Sequence, residues 1–471
     1  MKESMCIKTF RTLNGTYFLD VNKNEIVPVS EDTYEYLKEA EKGSEPAEAK
    51  EEIQQLKADG YLKPQQVKEI CHPQIELLEE TLSRKVQKIT LQLTQNCNFR
   101  CKYCHYTENT GAQRVHANRR MSFETVKKAI LFLREHSLDL EEVYIGFYGG
   151  EPLLEFELMQ QAIEYAEKVL EGKKINYMLT TNSVLLNEKM LSYIEANEIN
   201  LLVSLDGPKE INDLNRVTAD GRGTFDRVIE KLKYIYEAHP KLYRKMSVNM
   251  VMNPSHDFDK ILNLFKDYPF LKKINIMSTI VDDVGAKEKN KYEEVFTAKK
   301  TYYDFLCYLS IIERFPGKRL PVIMTQQRGG ILEELAKFKP REEVPKACAP
   351  GGPCTPGKLR LMATVDGNLV ACERVNEISD CMILGDLEHG ISIEKAKALL
   401  NVAEVTKEAC LKCWAFWGCT LCAKYADDHG KLSPDMRKSY CGESKQKYLY
   451  RLKERVMFQE AAEIYHQVPI I

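Results

Sequence analysis

The chain has 471 residues, too many for one compact domain at roughly 100 to 200 residues each, and its 44% hydrophobic and 29% charged content excludes collagen-like and wholly disordered classes. Its 67 Lys+Arg against 69 Asp+Glu leave a net charge of -2, which gives neither nucleic acid nor an anionic membrane an electrostatic hold. No apolar run approaches the about 18 residues of a membrane span, and the start MKESMCIKTF lacks a signal-peptide core, so a cytoplasmic protein is expected.

Residues 1–80 begin with alternating runs at 8–13, 16–21 and 24–29, with Asn14-Gly15 and Asn22 to Asn24 as turns, which predict a small antiparallel sheet. Helices are expected from the Ser30 cap to residue 40 and over 51–62, the latter closed by Gly60, with a polar loop at 41–50 between them. The pattern suits a winged helix. Ten Lys+Arg against 17 Asp+Glu in this stretch argue against DNA as its partner.

From 88 to about 315, apolar strands alternate with amphipathic helices, the signature of repeated βα units and a parallel sheet. Six strands are expected, at 88–96, 142–150, 175–182, 200–207, 245–253 and 272–279, so the fold class is α/β: a partial (β/α)6 barrel, two units short of a closed one. Chemistry in such a fold gathers at the carboxyl ends of the strands. Those ends carry Cys97, Gly149 to Glu151, Thr181-Asn182 and Ser204 to Gly207. Beyond a helical stretch at 290–315, residues 345–445 hold the second cysteine group with little regular structure except a hairpin at 364–373 turning at Asp366-Gly367, and 446–471 read as a terminal helix.

Fifteen cysteines in a reducing compartment point to metal binding or redox chemistry rather than disulfides. Cys6, Cys71, Cys307 and Cys381 stand apart and read as small buried hydrophobes. Cys97, Cys101 and Cys104 share one loop after the first barrel strand. Three thiolates can hold a [4Fe-4S] cluster with one iron open to a ligand. A zinc site with His105 as fourth ligand is the alternative.

The CxxxCxxC spacing, with Tyr103 before the last Cys, resembles the hallmark of the radical S-adenosylmethionine (SAM) enzymes. The resemblance implies that the open iron is chelated by SAM, whose reductive cleavage gives a 5'-deoxyadenosyl radical. It extends to Gly149-Gly150-Glu151-Pro152, similar to that family's GGEP segment, to Thr181, Asn182 and Ser204 as ribose contacts, and to Arg216 as partner of the SAM carboxylate. The series Cys354-x12-Gly367-x4-Cys372, Cys410-x2-Cys413-x5-Cys419-x2-Cys422 and Cys441 resembles the SPASM extension of peptide-modifying members, with one residue fewer than usual between Cys419 and Cys422. Carried over, that pattern assigns Cys348, Cys354, Cys372 and Cys422 to a first auxiliary [4Fe-4S] cluster and Cys410, Cys413, Cys419 and Cys441 to a second, three clusters in all; paired structural zincs are the alternative. Glu373 stands where some relatives carry a carboxylate base, though an exposed or salt-bridged Glu is the plainer reading of it.

Residues 1–80 look like the recognition element of maturases of ribosomally made peptides, which takes a leader as an added strand. The implied activity is formation of a Cys thioether in a Cys-containing precursor peptide, with a low-potential flavodoxin or ferredoxin as reductant. A sulfatase-maturing (formylglycine-generating) enzyme, a C-C crosslinking maturase and a non-catalytic iron-sulfur electron carrier are the competing readings.

Overall fold

Short apolar-polar alternation and close turns make the start of the chain a three-stranded meander rather than helix. In the computed structural model, which describes residues 5–44, 51–107 and 113–465, β1 (Ile7–Arg11), β2 (Thr16–Asp20) and β3 (Glu25–Val29) pair antiparallel in that order. Most of the expected 41–50 loop, the first four residues and the last six lie outside the described residues.

Helices Glu31–Glu41 and Glu51–Ala58 follow, the first capped by Ser30, whose side chain accepts from Thr33 N. Ile7 and Phe18 bury one face of the sheet against Leu37, Ile53 and Leu56 of those helices. Phe10, Leu19 and Val21 bury the other face against Phe416 and against Tyr448, Leu452 and Val456 of the helix Cys441–Ile464.

That second face joins segments far apart in sequence. Met1–Glu76, Gly329–Cys354 and Lys397–Ile471 make one compact unit, and Leu77–Arg328 with Thr355–Ala396 makes the other. Sequence patterning separates the N-terminal module from the second cysteine group; in the structure both belong to the first unit, and the hairpin segment within that group belongs to the second. Trp417 Nε1 donates to the Val21 carbonyl at 2.6 Å, and Glu460 accepts from Tyr17 Oη and Thr12 Oγ1 at 2.7 and 2.6 Å.

In the second unit, β4 (Lys88–Thr94), β5 (Glu142–Gly149), β6 (Lys174–Thr181), β7 (Asn200–Ser204), β8 (Ser247–Met252) and β9 (Asn275–Ile280) are all parallel neighbours. They form the partial barrel, each strand joined to the next through helical segments. The sheet continues past β4 into β10 (Leu361–Ala363), parallel to it, and then antiparallel into β11 (Asn368–Val370), β12 (Ile383–Asp386) and β13 (Gly390–Ile391). Gly367, at φ +85°, makes the β10–β11 turn.

The strands have two unlike faces. Leu91, Ile145, Leu179, Val203 and Val248 are buried on one; Tyr144, Asn176, Asn249 and Met277 on the other stay partly open. A polar, open inner face suits a ligand cavity, and it leaves the strand ends to organise the site. Among the described residues no helix is long and apolar enough to cross a membrane.

Trp414 and Trp417 are the chain's two tryptophans. Trp417→Phe keeps an aromatic ring but leaves the carbonyl of fully buried Val21 without its donor, so the first unit should lose about 1–3 kcal/mol. The check is urea unfolding followed by Trp414 fluorescence alone; an unshifted midpoint would show that the bond contributes nothing.

Candidate active site at the carboxyl ends of the parallel strands

The three-thiol loop leaves β4 at Thr94 and is laced to the segment after β7. Arg100 N donates to Val217 O at 2.7 Å, Lys102 N to Asn215 O at 2.9 Å, and Phe99 bridges Thr218. This lacing places Arg216 beside the loop. Its Nη1 donates to Tyr103 Oη at 2.6 Å, Tyr103 Oη donates to Asp206 Oδ2 at 2.7 Å, and Asp206 Oδ1 accepts from Val251 N at 3.2 Å. Burial pushes the Asp206 carboxyl above its ordinary range, and Arg216 and Tyr103 oppose it. Arg216 Nε is buried and has no partner among the described residues.

Glycine brings the next strand end close. Gly150 N and Glu151 N donate to Thr94 O and Asn96 O at 2.8 and 2.9 Å. A Cβ on Gly149, at φ +138°, would lie 2.2 Å from Thr94 O, and one on Gly150 would lie 1.9 Å from Asn96 O. Both obstacles are backbone, so no rotamer relieves them. Glu151 is 1% exposed and accepts from Thr181 Oγ1 at 2.6 Å, Asn182 N at 2.8 Å and Leu153 N at 3.1 Å. Burial raises its pKa above the ordinary value, and these three donors only moderate the rise. Its carboxylate therefore ties β5 to β6. Asn182 Nδ2 also holds Asn98 Oδ1 of the thiol loop at 2.6 Å, and Ser204 is buried at the end of β7.

The three thiols are close enough to raise one another's pKa, though burial dominates, bringing Cys97 up to about 12 and Cys101 up to about 11. Cys104 is raised by burial too, opposed by the Tyr106 backbone and by Arg216, Arg114 and Arg100. Buried thiols so reluctant to ionise are poor free nucleophiles, whereas a cationic iron centre would supply the charge that thiolates need there. The donor set and the unpartnered Arg216 Nε fit an iron-sulfur cluster with a carboxylate-bearing ligand. Among the described residues no three His, Cys, Asp or Glu side chains converge tightly enough for one metal ion.

In the first unit, burial raises the Cys413 and Cys441 thiols, and Cys410 and Cys419 lie near enough to both to add to the rise. The four thiols read as one auxiliary ligand set thus stand together. Of the other set, Cys348 and Cys354 lie in the first unit with Cys422, and Cys372 lies in the second. Cys348 has a neighbour that spacing does not reveal: Cys71 N donates to Cys348 O at 3.1 Å, and the Cys71 thiol adds to the burial that raises Cys348.

Glu373 is bound to Arg360, with Arg360 Nε 3.2 Å from Oε2 and Nη2 on Oε1. Arg360 immediately precedes β10, whose Leu361 pairs with Ile89, so this ion pair belongs to the Lys88 end of β4, opposite the thiol loop. Four residues of strand, about 13 Å, separate Lys88 from Gln92. The carboxylate nearer the thiol loop is Glu377, which no motif marked. Asp206 was likewise overlooked, although the Ser-Leu-Asp-Gly run at 204–207 put an acid at a strand end.

Residues 91–268 match the model of the Radical SAM superfamily. The chain is 25% identical over 360 residues to the cysteine-type anaerobic sulfatase-maturating enzyme of Clostridium perfringens (strain 13 / Type A), covering 71% of this chain and 89% of the relative. It is 26% identical over 161 residues to the radical SAM cyclopropyl synthase TigE of Paramaledivibacter caminithermalis, covering 32% of this chain and 33% of that one. The solved structure of native anSMEcpe with bound AdoMet and Cp18Cys peptide aligns with a TM-score of 0.55 at 21% identity, over 80% of this chain and 99% of that one, a likeness of fold.

Gly150→Ala should displace the thiol loop or the end of β5, lowering the thermal midpoint and the iron bound after reconstitution, whereas Gly442→Ala, with nothing within 4 Å of its Cβ in a helix, should gain about 0.5–1 kcal/mol. Equal behaviour of the two variants by calorimetry and iron content would refute the close-approach argument.

Proposed function

We propose that the chain is a radical SAM peptide maturase that joins a Cys sulfur to carbon in a ribosomally made precursor peptide. The observation that carries this reading is the laced thiol loop, which gathers Tyr103, Asp206 and an Arg216 with a free Nε beside Cys97, Cys101 and Cys104. With a three-thiolate [4Fe-4S] cluster and SAM bound there, the site supplies a 5'-deoxyadenosyl radical. Cys410, Cys413, Cys419 and Cys441 would hold an auxiliary cluster in the first unit.

The protein's own residues do the positioning. Arg216 offers Nε to a carboxylate, a planar cation suited to that partner. Asp206 and Tyr103 fix the guanidinium so that it need not reorganise on binding. Gly149 and Gly150 let the strand end close on the backbone of Thr94 and Asn96, and Thr181, Asn182 and Ser204 line the next two ends. Thioether formation from S-H and C-H removes two hydrogens: one leaves as an atom to the radical, and the other leaves as a proton and an electron, which an auxiliary centre is suited to accept.

The N-terminal module supports a peptide substrate. β3 pairs only with β2 among the described residues, and an unpaired strand edge can take an extended leader as a further strand. Pro28 in β3 suits an edge position. A second reading, conversion of a protein Cys to formylglycine, is favoured by the sulfatase-maturating relatives.

Anaerobic co-expression with a neighbouring Cys-containing peptide separates the two. A loss of about two mass units per crosslink, with thiols lost to alkylation and no change beside a Cys97/Cys101/Cys104→Ala control, is the expected result. A hydrazide-reactive aldehyde would favour formylglycine formation instead. An unmodified peptide despite SAM cleavage would remove it as a substrate.

A further inference from the structure

The inner face of the sheet holds a buried ion pair that the functions above leave unused. Glu377, five residues beyond Cys372, is 3% exposed. Its Oε2 accepts from Gln92 Nε2 of β4 at 2.5 Å and from Tyr106 Oη at 3.2 Å, and its Oε1 pairs with Arg114 Nε. The Gln92 amide is itself fixed, since its Oε1 accepts from Val365 N at 3.2 Å and from Gln95 Nε2 at 3.4 Å. The carboxylate is therefore anchored to the strand that leads into the thiol loop.

Arg114 is anchored on two sides. Its guanidinium lies 3.7 Å from the centre of the Tyr106 ring, and Tyr106 stands two residues after Cys104. Its side chain is 9% exposed, and Nη2 is buried with no partner among the described residues. With Nε on Glu377 and Nη1 donating to the Val115 carbonyl at 3.3 Å, a cation is held beside the thiol loop with Nη2 alone left unsatisfied.

A pair buried this deeply seldom repays its own desolvation as stability, so a role in charge placement is the better account of it. We propose that Arg114 and Glu377 together set the reduction potential of the iron-sulfur cluster at Cys97, Cys101 and Cys104. This rests on the cluster reading above. Taking up one electron adds a negative charge to the cluster, and in a poorly solvated site a fixed cation favours that change while a fixed anion opposes it. Arg114 raises the potential and Glu377 limits the rise. Both are positioning charges, neither touching the reacting atoms.

The two residues therefore act with opposite sign, which a merely structural role would not do. The test is an anaerobic redox titration with dithionite of the reconstituted full-length protein, following the electron paramagnetic resonance signal that changes when SAM is added, which identifies the cluster with the open iron. Arg114→Gln should move its midpoint to lower potential, Glu377→Gln should move it to higher potential, and Arg114→Lys, which keeps the charge, should stay near the unaltered protein. Midpoints that do not move, or that move in the same direction in both carboxamide variants, overturn the proposal. If Arg114→Gln fails to hold the cluster, Glu377→Gln decides alone, and an unchanged or lowered midpoint overturns it. Absence of any SAM-responsive signal in the unaltered protein would instead defeat the cluster reading itself.

Discussion

Placing ionised side chains at the buried ends of parallel strands is the constraint on which the second unit turns. Asp206 is fully buried and Arg216 nearly so, and neither could remain charged there alone. Tyr103 bridges them, and Tyr103 belongs to the thiol loop. The loop cannot leave its place without stranding a charge. Removing one member of such a buried set typically costs about 3–5 kcal/mol, far more than the set contributes over an apolar replacement. The energy thus enforces a particular arrangement more than it adds stability.

Glu151 applies the same logic one strand over. Its three donors come from β6, from the residue just past β6 and from its own turn, so a carboxylate that would otherwise be expensive to bury becomes a fastener for two strand ends. The glycines before it are needed because the fastened turn runs against the backbone of Thr94 and Asn96. Close approach, buried charge and loop position are therefore one structural solution. In the first unit the fastening is mainly apolar instead: a sheet buried on both faces, with Trp417 and Glu460 adding directional bonds.

Much of this was legible in the chain. The six barrel strands announce themselves as apolar runs between amphipathic helices, because a parallel sheet buries the strands and the helices reveal their period. The thiol spacing and the Gly-Gly-Glu-Pro turn are local and survive as short strings. What was illegible depended on distant pairing. Nothing in residues 361–363 says that they lie parallel to residues 89–91, and nothing in Cys71 says that it neighbours Cys348. The N-terminal sheet carried a partial hint, since TYFLDV offers apolar residues to both faces, yet the partner of the second face was some 400 positions away.

The two acids near Cys372 show how such distant pairing decides function. By sequence, Glu373 adjoins Cys372 and Glu377 looks incidental. The strand register reverses their standing. Arg360 holds Glu373 at the level of Lys88, whereas Gln92 and Tyr106 hold Glu377 nearer the thiol loop. Since the electrostatic influence of a side chain depends on its distance and surroundings rather than its place in the chain, the acid farther from the cysteine in sequence is the one placed to act on the loop's chemistry. Four residues of β4 make that difference, and they became visible only once β10 was seen to pair with it.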